Sequence, residues 1–270
     1  MSLSPTSPSL PSSRVADSVV DTLRAAGCVF AEDEARLLLS AAGTRTELAA
    51  LVARRARGVP LEHVLGWAEF CGLRIAVEPG VFVPRRRTEF LARQAAASAR
   101  PGSVVVDLCC GTGAVAAAVA AAVPGAEVHA ADVEPAAVRC AHRNLAASGA
   151  RVHEGDLYGP LPAELRGRVD VLIANAPYVP TDHIGLLPPE ARDHEPLLAL
   201  DGGADGLDVQ RRVAAEAADW LAPGGVLLVE TSEDQAPYTA RAVEHGGLLP
   251  RVAESEELYA TLVIGARRAC

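Results

Sequence analysis

A polar turn follows directly on the apolar run 169–174 and consists of Asn175, Ala176, Pro177 and Tyr178. The planar NH2 group of an amide or a nucleobase is a poor nucleophile because its lone pair is delocalised, so a catalyst must orient it. The Asn175 side-chain oxygen and the Ala176 carbonyl can each accept one N–H of such a group. Pro177 stiffens the turn, and Tyr178 can pack beside the target side chain. The pattern indicates chemistry on an NH2 group, although a plain Asn-x-Pro turn gives the same local pattern.

A glycine-containing loop upstream predicts a nucleoside site. Gly111 and Gly113 follow a β-branched run and allow the backbone to approach a ligand closely. Asp132 ends the next such run, where a carboxylate can accept both hydroxyls of a ribose. A dinucleotide fingerprint requires glycine at the positions that Cys109 and Ala116 occupy. The spacing therefore favours a nucleoside without phosphates, such as S-adenosylmethionine.

Two further carboxylates belong to this predicted site. Asp156 follows Gly155, and we expect it to receive the adenine amino group. Asp107 lies at the end of the first strand of the motif and has two possible roles. It either contacts the cofactor amine or braces the glycine turn by accepting backbone N–H groups, and the sequence leaves both open.

The composition excludes several classes of function. The chain has 270 residues, half of them apolar, which is enough for one large α/β domain and a smaller one. All 25 basic residues are arginine, so lysine Schiff-base chemistry and a phosphate-loop lysine are excluded. The formal net charge of −9 argues against the positive field that non-specific nucleic-acid binding needs. We therefore expect no direct nucleic-acid binding.

The cysteines, histidines and apolar stretches give no sign of a metal or a membrane. The six cysteines lack C-x-x-C spacing, and Cys140 with His142 is too isolated a pair for zinc. The apolar stretches are too short for a membrane span. Residues 1–13 are rich in Ser and Pro and lack the features of a secretory signal. We expect a disordered tail on a cytoplasmic protein with reduced thiols, no metal and no membrane contact.

The first part of the chain predicts a helical domain over residues 14–70. Two helices are expected over Val15–Ala26 and Glu32–Ala42, and a third begins after Thr44, where Glu47 completes a capping box. Residues 71–100 form a predicted hairpin and linker. There the alternating segment 73–77 is expected to pair with 81–83 across a turn at Gly80.

Residues 101–270 predict a different architecture, because short β-branched runs alternate with helical patterns. This alternation is typical of a doubly wound, mainly parallel sheet with helices on both faces. The predicted strands are 104–108, 127–132, 152–154, 169–174, 225–230 and 260–264. One predicted helix ends near residue 123, and three others cover 135–147, 207–221 and 237–244.

In order, Asp107-x-x-x-Gly-x-Gly113, Asp132, Gly155-Asp156 and Asn175-x-Pro-Tyr178 resemble the motif series of class I S-adenosylmethionine-dependent methyltransferases. In particular, the chain is similar to the HemK-like protein-(glutamine-N5) methyltransferases, which modify a glutamine of peptide-chain release factors. Further segments that resemble signatures of that family are 60–66, 68–70, 72–73, 84–85, 88–89, 195–196, 200–203 and 205–207.

The resemblance implies a Rossmann-like methyltransferase fold and methyl transfer from S-adenosylmethionine to the side-chain amide nitrogen of a glutamine in a protein. It implies a release factor or another translation-related protein as substrate, docked by the N-terminal helices, and an enzyme that acts as a monomer. Asn175, Pro177 and Tyr178 are the expected catalytic residues, and Ala176 joins them in binding the substrate. The expected cofactor-binding residues are Asp107, Cys109, Cys110, Gly111, Thr112, Gly113, Asp132, Asp156, Leu157 and Asn175.

The sequence departs from the family pattern at two places. Ala176 replaces a proline, so the backbone there is no longer locked although its carbonyl remains. Cys109 and Cys110 replace a glycine and a small polar residue. We expect Cys109 to contact the cofactor through its backbone, so that its side chain is tolerated if its φ is negative.

Two other functions remain open from the sequence. The same kind of turn suits a flipped adenine, which predicts adenine-N6 methylation of nucleic acid, although the acidic charge argues against it. The other alternative is a cofactor-binding module that has lost catalysis, in which case the replacement of the family proline by Ala176 is a sign of that loss.

Overall fold

The computed structural model describes residues 13–269. The chain divides into two compact units, and the boundary lies between Leu65 and Gly66. Residues 1–12 of the predicted tail lie outside the described residues, and Ser13 begins the first helix. Among the described residues, no helix has both the length and the apolar character needed to cross a bilayer.

The smaller unit is helical, as predicted. The Thr44 hydroxyl accepts the Glu47 N–H at 3.1 Å and so caps the third helix. The Glu47 carboxylate reaches back one residue further than a standard capping box and accepts the Gly43 N–H at 2.8 Å. The helices of this unit are α1 (Ser13–Ala25), α2 (Ala31–Ala41), α3 (Arg45–Ala56) and α4 (Leu61–Leu65).

The larger unit begins with a two-stranded hairpin that differs from the predicted one. Strand β1 (Trp67–Phe70) pairs antiparallel with β2 (Leu73–Ala76). The connecting residues Cys71 and Gly72 have φ values of 50° and 73°, as a tight two-residue turn requires. The expected pairing of 73–77 with 81–83 is therefore wrong, and a Cys-Gly turn carried too weak a signal to reveal the register.

Seven strands form one sheet in the part of the chain that the structure describes. Their spatial order is β5-β4-β3-β6-β7-β9-β8. The first five pair in parallel, whereas β9 runs antiparallel to both of its neighbours. The predicted mainly parallel sheet is confirmed. The strands are β3 (Val104–Leu108), β4 (Glu127–Asp132), β5 (Arg151–Glu154), β6 (Val169–Ala174), β7 (Leu221–Thr231), β8 (Leu249–Ser255) and β9 (Ala260–Ala266).

Helices cover both faces of this sheet, as successive residues of β3 show. Val105 packs in a core that contains residues of three helices, α5, α6 and α7. Val104 and Val106 belong to a second core, which α9 and α10 complete. The helices of the larger unit are α5 (Glu89–Ser98), α6 (Ala114–Ala122), α7 (Pro135–Leu145), α8 (Pro189–His194), α9 (Asp208–Trp220) and α10 (Ala236–His245).

Helices α5 and α8 and strand β8 were not expected from the sequence. Helix α5 occupies the last third of the segment 71–100 that was predicted to be a hairpin and linker. Strand β8 lies at the edge of the sheet, where its Pro250 and its charged side chains are tolerated. Those residues weaken the strand pattern in the sequence.

Candidate active site

A cavity of about 700 Å3 lies beside the carboxyl ends of β3, β4 and β6. The strand order reverses between β3 and β6, so the segments that follow these strands meet at the usual ligand position of a doubly wound sheet. The predicted site residues that line the cavity are Asp107, Cys109, Cys110, Gly111, Thr112, Asp132, Asp156, Leu157, Asn175, Ala176, Pro177 and Tyr178.

Gly113 is the predicted site residue that the cavity lining does not include. Its φ is 74°, and an added Cβ would lie 3.1 Å from the Cβ of Ala141. The glycine therefore permits close packing of the start of α6 against α7.

Asp107 braces the start of α6. Its buried carboxylate accepts the Ala116 N–H at 3.1 Å, which favours the bracing role over cofactor contact as its main function. The burial raises the pKa of Asp107 to about 7, because a charged carboxylate loses its hydration there.

Asp132 anchors the glycine loop. Its carboxylate accepts the Gly111 N–H at 2.8 Å and the Glu134 N–H at 2.9 Å. Burial raises the pKa of Asp132, and the backbone donors oppose that rise. A carboxylate offers about four lone-pair positions, so acceptor sites remain for ribose hydroxyls.

Cys109 has a φ of 55°, so the condition of a negative φ, under which its side chain would be tolerated without strain, is not met. This is the left-handed region, which glycine adopts without the steric cost that a Cβ brings. The positive φ thus explains why the family pattern has glycine at this position. A cysteine with this φ is strained. The neighbouring Asp132 and the burial both raise the pKa of the Cys109 thiol, so the thiol is protonated.

Asp156 borders the cavity and is paired with the guanidinium of Arg212, on α9. The sequence did not predict this pair, because Arg212 belongs to an element far along the chain. Val133, directly after Asp132, is partly exposed and also lines the cavity, where it offers an apolar surface to a flat ring. The acceptors Asp132 and Asp156, together with this apolar wall, match the hydroxyls, amino group and ring of an adenosine cofactor.

The Asn175 turn faces the same cavity from the end of β6. The Asn175 Nδ2 atom donates to the Thr88 Oγ1 atom at 3.4 Å. The Tyr178 hydroxyl donates to the Glu230 Oε1 atom at 3.3 Å, and burial with this nearby carboxylate raises the pKa of Tyr178. Neither Thr88 nor Glu230 was predicted as a site residue.

A glycine-rich segment, residues 200–207, packs against the Asn175 turn. An added Cβ at Gly202 would lie 2.7 Å from the Pro177 carbonyl oxygen, and one at Gly206 would lie 2.3 Å from that of Tyr178. Only glycine permits these approaches without a shift of the backbone. The Gln235 side chain donates to the Tyr178 carbonyl at 2.9 Å. The segments 200–203 and 205–207, which resemble family signatures, therefore hold the turn in place.

A second loop, between β2 and α5, borders the cavity through Pro84, Arg85 and Arg87. The buried Glu195 carboxylate accepts the Val83 N–H at 3.0 Å and pairs with Arg85. The Glu195 carboxylate thus connects segments 84–85 and 195–196, which are far apart in the chain. Among residues 13–269, no group of three or more His, Cys, Asp or Glu side chains is arranged to hold a metal ion.

The comparisons with known proteins agree with this geometry. The methyltransferase small domain family matches residues 72–185. A methyltransferase structure from Pyrococcus furiosus superimposes with a TM-score of 0.55 at 18% identity, over 73% of this chain and 90% of that one, which shows the shared fold. Fold and family define an S-adenosylmethionine-dependent methyltransferase of class I, so the predicted fold class and cofactor are confirmed.

Similarity to curated proteins identifies the family within that class. The release factor glutamine methyltransferase of Geobacter sulfurreducens is 44% identical over 70% of this chain and 68% of its own length. The chain belongs to the release factor glutamine methyltransferase family, as the motif series predicted. A 4-amino-L-phenylalanine/4-methylamino-L-phenylalanine methyltransferase from Streptomyces pristinaespiralis is also 44% identical, over 66% of this chain and 63% of its own length.

Proposed function

We propose that this protein transfers a methyl group from S-adenosylmethionine to the side-chain amide nitrogen of a glutamine in a peptide-chain release factor. The observation that supports this most is that the Asn175 turn and the glycine loop after β3 border one cavity. A group held by Asn175 therefore lies next to a nucleoside held by Asp132. The family to which the chain belongs favours glutamine as that group.

The chain contributes binding and orientation to the reaction. Asn175 and the Ala176 carbonyl accept the two N–H bonds of the glutamine amide and direct its nitrogen lone pair. The bound cofactor supplies a methyl group on a positively charged sulfur, which is a strong electrophile. The new N–C bond forms as the S–C bond breaks, the sulfur keeps the electron pair of that bond, and one amide proton then leaves to solvent.

The mouth of the cavity suits a protein substrate. Leu198 and Tyr259 line it, and the Tyr259 side chain is 91% exposed. Large exposed apolar side chains at a cavity rim are typical of a surface that contacts another macromolecule. The N-terminal helical unit, in this proposal, supplies further docking contacts, and the enzyme works as a monomer in the cytoplasm, where release factors act.

An aromatic amine is the second candidate substrate. The relative from Streptomyces pristinaespiralis is named for methyl transfer to an amino group on an aromatic ring, and it has the same 44% identity to this chain as the release factor enzyme, over a shorter match. Such an NH2 group is also planar and has a delocalised lone pair. The relatives do not favour adenine methylation in nucleic acid, and the net charge of −9 argues against it.

The decisive experiment incubates the purified enzyme with S-adenosylmethionine and four acceptors: an intact release factor, its glutamine loop as a short peptide, a Gln→Ala release factor and 4-amino-L-phenylalanine. We expect one added methyl group, detected by mass spectrometry, only on the acceptors that keep the release factor glutamine, and fastest on the intact factor. The peptide should react slowly, because lost remote contacts lower the rate as well as the affinity. Methylation of the amino acid with none on the factor would replace this proposal with the aromatic amine function.

A further inference from the structure

The Asn175 side chain has two chemically different ends, and only one of them serves the proposed reaction. The Oδ1 atom must face the N–H groups of the substrate amide. If the Asn175 side-chain amide were rotated by 180°, its Nδ2 donor would instead face the NH2 donor of the substrate. Some neighbour must therefore fix the orientation of this side chain before the substrate binds.

Thr88 is placed to do this. Its hydroxyl accepts from the Asn175 Nδ2 atom at 3.4 Å, and the residue is only 4% exposed. Thr88 also stands at the first residue before α5, where a threonine commonly caps the helix through its side chain. It forms no such cap. The hydroxyl thus serves the Asn175 side chain and not its own helix.

A threonine alone cannot select one orientation, because a hydroxyl donates as well as accepts. The selection requires that its single proton be committed elsewhere. Glu230 is the acceptor available for it. This residue is 2% exposed and is the penultimate residue of β7, beside the Asn175 turn, since the preceding Val229 pairs with Ala174 of β6.

The contacts of the Glu230 carboxylate leave one acceptor position for the proton of the Thr88 hydroxyl. Its Oε1 atom accepts from the Tyr178 hydroxyl at 3.3 Å and lies 3.5 Å from the Arg87 Nε atom. Its Oε2 atom is buried and has no hydrogen-bond partner among residues 13–269. Burial raises the pKa of Glu230, and the nearby Thr88 hydroxyl is the first of the groups that oppose this rise.

We propose that Thr88 is a positioning residue that donates its proton to the Glu230 carboxylate and can therefore only accept from Asn175. In this proposal Glu230 is ionised beside the Arg87 guanidinium, and because an ionised carboxylate accepts and never donates, Glu230 sets the direction of both hydrogen bonds. The Asn175 Oδ1 atom is then held toward the cavity. This role rests on the proposed function, because it concerns the amide that grips the glutamine.

The kinetic test compares Thr88→Val, which keeps the shape without the hydroxyl, with Thr88→Ser, which keeps the hydroxyl. We expect Thr88→Val to lower kcat on the release factor by about 10- to 100-fold, as loss of a supporting partner does at other sites. The affinity for S-adenosylmethionine should stay within about twofold. Thr88→Ser should keep most of the turnover. In an Asn175→Ala background, Thr88→Val should cause no further loss, because the two residues act as a unit.

Equal loss in Thr88→Ser and Thr88→Val would show that Thr88 serves packing alone, and full turnover in Thr88→Val would overturn the proposal. If Thr88→Val does not fold, Glu230→Gln replaces it. Its Nε2 group can donate to Thr88 and release the constraint, so kcat should fall there too. Full turnover in Glu230→Gln would equally overturn the proposal.

A second measurement needs no substrate and so separates this proposal from the proposed function. The side-chain NH2 signals of Asn175 in a nitrogen-15 spectrum report whether the amide holds one orientation. We expect one sharp pair of signals in the wild type and in Thr88→Ser, and shifted or broadened signals in Thr88→Val. Unchanged signals in Thr88→Val would refute the positioning role. A wild type that shows the sharp pair but leaves release factor unmodified would refute only the proposed function.

Discussion

The Asp132 carboxylate accepts a hydrogen bond from the Gly111 N–H at 2.8 Å. The residue at the end of β4 thereby holds the loop that follows β3, across two adjacent strands of the sheet. The same carboxylate accepts the Glu134 N–H at 2.9 Å and borders the cavity. One side chain thus shapes the glycine loop, and we propose that its remaining acceptor positions bind the ribose hydroxyls of the cofactor.

Asp132→Ala is expected to weaken S-adenosylmethionine binding by about 10- to 100-fold, since hydrogen bonds to a charged group contribute about 1.5–3 kcal/mol. Asp132→Asn keeps an oxygen acceptor and should lose less. Isothermal titration calorimetry on the folded variants measures both affinities, with thermal unfolding as the control for the fold. An unchanged affinity in Asp132→Ala would remove this residue from the cofactor site.

Cys109 gives a prediction about stability, because its φ of 55° is costly for a residue with a Cβ. That cost is about 1–2 kcal/mol, and the extra freedom of glycine in the unfolded chain offsets about 0.4–1 kcal/mol of it. We expect Cys109→Gly to match or exceed the wild-type free energy of unfolding in urea. Cys109→Val should be less stable by roughly 1–2 kcal/mol, because a β-branched residue tolerates this conformation worst. Greater stability of the valine variant would contradict this reading of the loop.

The placement of the predicted site residues followed from the strand pattern. Asp107, Asp132 and Asn175 each end or follow a β-branched run, and parallel strands bring such ends to one edge of the sheet. The β-branched runs, and the polar residue at the end of each run, were therefore sufficient to predict that these three residues lie together, without any tertiary information.

The residues that support the site were not predictable in the same way. Thr88 reaches it from the residue before α5, Arg212 from α9 and Glu230 from β7. Although segment 88–89 resembles a family signature, nothing in the local sequence shows that these side chains contact the predicted site residues. The positive φ of Cys71 and Cys109 was likewise hidden, because cysteine rarely adopts it. Backbone conformation imposed by the surrounding structure, and contacts between distant elements, account for these failures.

Asp107 predicts a pH dependence of stability. Burial raises its pKa in the folded protein from an ordinary value of 3.8 to about 7. The folded state therefore favours the protonated carboxyl, and this stabilisation is complete below about pH 4 and is lost as the pH rises through about 7. The difference between the two pKa values corresponds to at most about 4 kcal/mol.

The measurement is urea unfolding of the wild type and of Asp107→Asn, without cofactor, at several values from pH 5 to pH 8. The variant has no carboxyl to ionise at this position, and its amide oxygen can still accept the Ala116 N–H. We expect the wild type to lose a few kcal/mol relative to the variant as the pH rises. Parallel curves for the two proteins would show that Asp107 does not titrate in this range.

Ala176→Pro tests the departure from the family pattern in the turn itself. No described residue accepts a hydrogen bond from the Ala176 N–H, so a proline there removes no bond. Ala176 also precedes Pro177, which already restricts it to an extended backbone that proline can adopt. We expect Ala176→Pro to raise the free energy of unfolding by about 0.4–1 kcal/mol and Ala176→Gly to lower it by a similar amount, because they change the freedom of the unfolded chain in opposite directions. Turnover of the proline variant should equal or exceed that of the wild type, since a stiffer turn holds Asn175 in place. A proline variant that is less stable than the glycine variant would mean that the backbone at residue 176 does not fit proline, and that the alanine is required by this structure.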